Sequence, residues 1–182
     1  MARKALLIID MQRGDFPPLK DRYQAEVIVE RIRKLAAAFR ATGHQVIYIQ
    51  HDGTAEGAFS PGTQEWEILP ELTPMPTDLV VSKTANDAFY NSSLLETLHQ
   101  NGLRQIFIAG SATDFCVDAT IKGGLTKNLM ITVASDAHTA ADRPYVSAEH
   151  LIGHYNWVWS HMTPTRGAVR TRTYTEIINM LS

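Results

Sequence analysis

The stretch RQIFIAGSATDFCVDAT, residues 104–120, holds an apolar run, a small-residue turn and the start of a helical pattern, with Cys116 near the middle. Its apolar part, RQIFIAG (104–110), is continuous rather than alternating, as in a strand covered on both faces. Four more runs share this character: KALLIID (4–10), QVIYIQ (45–50), DLVVSK (78–83) and LMITVASDA (129–137). Helical patterns separate them. Over 23–42, Ala25, Ile28, Ile32, Leu35, Ala36 and Phe39 recur at helical spacing, and Gly43 ends the pattern. Ser93 with Glu96 reads as a capping box for a helix ending near Gly102. Further helices are expected over about 115–127, after Ser147 as cap, and over YTEIINML with Thr173 and Glu176 as its box. GAVRTRT reads as a last short strand.

Strand–helix alternation predicts an α/β fold, a parallel sheet with helices on both faces. Such sheets bind ligands at the carboxyl ends of their strands. Asp10 closes the first run, Lys83 closes the third, and Cys116 lies a short loop beyond the fourth. The segment 51–77, rich in Gly and Pro, is expected to be an ordered excursion over that edge.

The bulk properties narrow the function classes. With 182 residues, one domain spanning 1–182 is expected. The net charge of -2 gives no electrostatic reason to expect nucleic acid or an anionic membrane. One cysteine excludes an internal disulfide framework and a CxxC redox pair. The first apolar run is broken by Asp10 and is too short for a signal-peptide core or a membrane span, so a cytoplasmic protein is the simplest reading.

Cys, Asp and Lys on one sheet edge suit acyl transfer. A free thiol ionises near ~8.5, and a helix N-terminus or a nearby ammonium favours the thiolate. An aspartate can take the thiol proton and deliver it to a leaving amine. Each residue also has a plain structural reading: a lone cysteine is commonly a small buried hydrophobe, an aspartate can cap a turn, and a lysine is commonly solvated. It is their common edge that favours chemistry.

ALLIIDMQRGDF, the block from VVSK (80–83) through GSATDFCV (110–117), and ITVASDAHT resemble the isochorismatase-like cysteine hydrolases, in order, from about residue 4 to 160. The resemblance implies a three-layer α/β/α fold with a six-stranded parallel sheet. It implies Asp10 as proton shuttle, Lys83 as the cation near the thiol and Cys116 as nucleophile. It also implies a cis peptide at Ser111–Ala112 and oxyanion donors at the N–H groups of Ala112 and Cys116. Isochorismatases proper lack the cysteine, and nicotinamidases of the family carry an Asp-x-His metal cluster after the second strand. Here that region reads YIQHDGTAEG, with His51 before Asp52 and no second histidine nearby, so no metal and no cofactor are expected. Gln50 resembles a glutamine placed near the substrate in metal-free members, and Phe89 matches a pocket aromatic whose other reading is core packing.

The remaining motifs carry less. His150 and His154 have i, i+4 spacing, but HLIGH lacks the glutamate of HExxH. KGGLTK lacks P-loop spacing, and no GxGxxG follows the first strand. The aromatic cluster from His154 to His161 reads as core or subunit interface and, with family habit, suggests a dimer or larger homo-oligomer. The expected activity is hydrolysis of a small amide, carbamoyl or cyclic amide. An esterase of the same fold, a silent binding protein and a thiol sensor are the alternatives.

Overall fold

The computed structural model describes residues 3–181; Met1, Ala2 and Ser182, the outer ends of the expected 1–182 domain, lie outside the described residues. Six strands form one sheet: β1 (Lys4–Ile9), β2 (Gln45–His51), β3 (Leu79–Lys83), β4 (Gln105–Ser111), β5 (Met130–Thr139) and β6 (Ala168–Arg172). Their order is β3-β2-β1-β4-β5-β6, and every pairing is parallel. The order reverses between β1 and β4, which is where a crevice opens in such sheets.

Alternation along β1 explains the three layers. Leu6 and Ile8 pack with Ile28, Ile32, Leu35 and Phe39 of α1 (Ala25–Ala41) and with Ile177 of α5 (Tyr174–Asn179). Ala5, Leu7 and Ile9 face the other way. They pack with Leu94 and Leu98 of α2 (Leu94–Gln100), Ile121 and Leu125 of α3 (Asp118–Thr126), and Trp159 of α4 (Ala148–His161). Both faces are therefore buried, and a side chain on either has no polar environment to enter. That is why the strands read as unbroken apolar runs. Phe39 is fully buried against Phe107; its replacement by Ala should cost about 3–5 kcal/mol.

Capping agrees with the sequence at two helices and departs from it at a third. Ser147 accepts from the His150 amide, and Thr173 with Glu176 forms a full capping box. Ser93 makes no side-chain cap. The neighbouring Ser92 hydroxyl does that work, donating to the Ala88 carbonyl and accepting from the Leu94 amide. The helix expected from about 115 is also different. It begins as a π-helical turn, Thr113–Val117, before α3. β5 runs past the expected end to Thr139, with a break in register that sets Gly110 opposite His138.

Candidate active site

Asp10 follows β1 directly. Its backbone is left-handed (φ 48°), a region aspartate tolerates better than most residues, and its amide donates to the Ile49 carbonyl at 2.9 Å. β4 approaches this strand end closely. Gly110 has φ +129°, and a Cβ there would collide with the Ile9 carbonyl, so only glycine fits. The chain then passes through the Ser111–Ala112 peptide, which is cis, into the turn that carries Cys116.

Lys83 ends β3, two strands away from Asp10. Its side chain spans β2, and it is 1% exposed. The ammonium lies 2.7 Å from Asp10 Oδ2. It also donates to the Ala85 carbonyl at 2.9 Å and to Cys116 Sγ at 3.4 Å, with His51 Nδ1 at 3.5 Å. Cys116 Sγ is 3.5 Å from Asn86 Oδ1. The three residues predicted to act together are thus brought together. Among the described residues, the other Asp10 oxygen, Oδ1, is buried with no hydrogen-bond partner, which leaves an acceptor free for a proton.

The electrostatics correct one expectation. Burial, then the neighbouring Asp10 charge, pushes the Cys116 thiol well above its ordinary value; Lys83 opposes this without reversing it. Burial and the Asp10 charge both favour a protonated sulfur at rest, against the thiolate expected from helix position and lysine proximity. Burial likewise raises Asp10, against the pull of Lys83. Lys83 itself ends up raised, because Asp10 and Cys116 outweigh the effect of burial.

A cavity of about 260 Å³ opens over the thiol, with Asp10, His51, Phe59, Asn86, Ala112 and Cys116 in its wall. His51 and Phe59 belong to the 51–77 excursion, which does cross this edge. Gln12 ties it down: its side-chain amide donates to the carbonyls of His51 and Trp66, both at 3.0 Å, and accepts from the His51 amide at 2.8 Å. Two expected substrate contacts are not in the wall. Gln50 is buried and donates to the Trp66 carbonyl at 2.9 Å. Phe89 lies in the core near Gly124, with the Lys127 ammonium 5.0 Å from its ring centre. The plain reading of Phe89, core packing, is the one the structure has. Arg22 and Arg143, which the sequence did not single out, do line the cavity. Among the described residues no cluster of three or more His, Cys, Asp or Glu side chains is placed to hold a metal ion, and no helix is long and apolar enough to cross a membrane.

Behind the nucleophile lies a buried polar chain. Asn156 donates its amide N–H to the Ser135 carbonyl, so its oxygen faces His138 Nε2 at 3.2 Å. That nitrogen must then carry the proton, and Nδ1 accepts from the Thr113 hydroxyl at 2.8 Å. Burial pushes His138 down to about 4, so the ring is neutral. Thr113, the first residue of the turn, is held from β5 and α4 by this chain. No periodicity or motif in the sequence marks it.

Comparison with known proteins places the chain in a family. Streptothricin hydrolase of Streptomyces noursei is 30% identical over 141 residues, 78% of this chain, and the match spans about half (51%) of that longer protein. A ureidoacrylate amidohydrolase of Stutzerimonas stutzeri is 28% identical over 195 residues, covering 86% of this chain and 79% of its own. The crystal structure of a cysteine hydrolase from Pseudomonas syringae pv. phaseolicola superposes with a TM-score of 0.89 at 25% identity, over 99% of this chain and 92% of the other. Residues 4–159 match the isochorismatase domain, and with that match over most of its length the chain belongs to the isochorismatase family.

Proposed function

We propose that this protein is a cofactor-independent cysteine hydrolase that cleaves a C–N bond of a small amide, carbamoyl or cyclic amide through a thioester. The observation that carries the reading is the contact of the chain's single thiol with a buried Lys83–Asp10 pair whose second carboxylate oxygen is free. The names of the relatives, hydrolases and an amidohydrolase, support the same class.

The steps follow from the residues. Cys116 Sγ attacks the substrate carbonyl carbon as its proton passes to Asp10 Oδ1. The high thiol pKa means that this transfer accompanies attack rather than precedes it. The carbonyl oxygen becomes an oxyanion, for which the N–H groups of Ala112 and Cys116 are the proposed donors. The C–N bond breaks, and the amine leaves with the proton from Asp10. Water then attacks the thioester while giving a proton to Asp10, the acid departs, and the sulfur recovers its proton. Lys83 holds the carboxylate in place and offsets its charge throughout.

The test is ammonia release from a panel of primary amides and ureides, and ring opening of lactams followed as newly formed primary amine, with Cys116→Ala as control. Release or ring opening that depends on Cys116, with an acyl adduct trapped on that residue, supports the reading. Turnover of esters alone, or none of any kind, rejects it.

A further inference from the structure

The wall above the thiol contains a buried cation without a full counter-charge. The Arg22 side chain is 8% exposed. Its only ion-pair partner among the described residues is Asp15, whose Oδ1 lies 3.1 Å from Arg22 Nη2. That same oxygen is 2.9 Å from the Lys20 ammonium. One carboxylate thus serves two cations. The other Arg22 contacts are neutral: Nε to Ser111 Oγ at 3.3 Å and Nη1 to the Asp21 carbonyl at 3.3 Å. Arg143 also lines the cavity over the thiol and touches the nucleophile turn. It is paired to Asp114 through Nε and Nη2 at 2.7 and 2.9 Å, and its guanidinium lies 4.9 Å from the centre of the Phe115 ring. Arg22 touches residue 111 and Arg143 touches 114 and 115, so both contact the stretch that leads into Cys116.

Both arginines line a second cavity as well, of about 700 Å³, which also borders Lys20, Asp21, Tyr23 and Asp142. The two arginines thus belong to the walls of both cavities. The acids there do not neutralise Arg22. Asp142 accepts from the Ala148 amide, and neither Asp21 nor Asp142 forms an ion pair with an arginine among the described residues.

We propose that the substrate is an amide whose end remote from the scissile bond carries a carboxylate, and that Arg22, in the wall of the cavity over the thiol, receives it. A buried guanidinium sharing its counter-ion is costly to leave so, and a ligand carboxylate supplies the missing charge through charge-assisted hydrogen bonds. A cationic group at that place would meet Arg22 and be rejected. The proposal rests on the hydrolase reading above and deepens it.

Two measurements separate this subsite from that reading. The first compares turnover of glutaramate with that of its neutral analogue pentanamide. We expect kcat/KM at least tenfold higher for glutaramate, a ratio that falls toward one in Arg22→Gln, mainly through KM, and recovers partly in Arg22→Lys. The second needs no turnover: protection of Cys116 from alkylation by iodoacetamide with added glutarate. Protection in the wild type that is lost in Arg22→Gln supports the subsite even if no amide is hydrolysed. Hydrolysis without discrimination, absence of glutarate protection, or an equal loss on both amides in Arg22→Gln overturns it.

Discussion

Replacing Lys83 by Met keeps the buried stem and removes the charge, which isolates what the ammonium does. At 2.7 Å from Asp10, the pair attracts by roughly 6 kcal/mol at an effective dielectric of about 20. Desolvation takes back much of this, yet removing one partner leaves the other charge stranded. For a buried pair that loss is about 3–5 kcal/mol, and in a chain of this size it lowers Tm by roughly 6–20 °C. The deficit should depend on pH. Asp10 is already raised by burial; without Lys83 its folded pKa rises further, while the unfolded value stays near ~3.9. Between those two values the folded state binds more protons, so stability falls as pH rises and returns as pH falls. Each pH unit in that window is worth about 1.4 kcal/mol, so going from pH 7 to pH 5 should shrink the deficit by at most about 2.7 kcal/mol. Urea unfolding of both proteins at the two pH values measures it. An equal deficit at both, or one under about 1 kcal/mol, would refute the claim that Lys83 compensates a buried carboxylate.

Cys116→Ser should fold with an unchanged melting curve and lose at least about 10³-fold in kcat, because the hydroxyl lacks the nucleophilicity of sulfur; near-normal turnover would remove the covalent mechanism. The acidic limb of the kcat/KM profile should lie above the ordinary carboxylate range, since a raised Asp10 must be ionised to accept the thiol proton; a limb at or below that range contradicts the assigned shuttle. Exhaustive chelation should leave activity intact, and loss restored by zinc or manganese would contradict this. His138, held down to about 4, should make the fold lose about 3 kcal/mol more than His138→Gln on acidification from pH 7 to pH 4. Parallel unfolding curves would show that the ring is not kept neutral.

The strands were legible because a sheet covered on both faces leaves each one a single kind of environment, and the apolar runs report it. Asp10, Lys83 and Cys116 were legible for a related reason: parallel strands put all their carboxyl ends on one edge, so strand ends alone bring such residues near one another. The turn after β4 was less so. Its π-helical start depends on Gly110 pressing against the Ile9 carbonyl and on His138 holding Thr113. Both partners are distant in sequence. Phe89 misled because an aromatic two residues past a loop aspartate has the same local signature in a pocket wall as in a core. Only the position of α3, with Gly124 leaving room for the ring, decides between them.

The thiol's protonation could not be read from sequence, because it is a balance among terms of opposite sign. Helix position and a neighbouring ammonium each favour the thiolate. Burial and Asp10 oppose them, and their weight depends on depth and on distance. The outcome suits the proposed chemistry. A thiolate formed permanently beside Asp10 would place two anions on one ammonium, which already donates to a carbonyl. A proton on the sulfur avoids that second anion. Charge then develops only when the substrate carbonyl is present to take it up, through the transfer to the free Asp10 oxygen. In the proposed mechanism that ordering couples nucleophile formation to substrate binding.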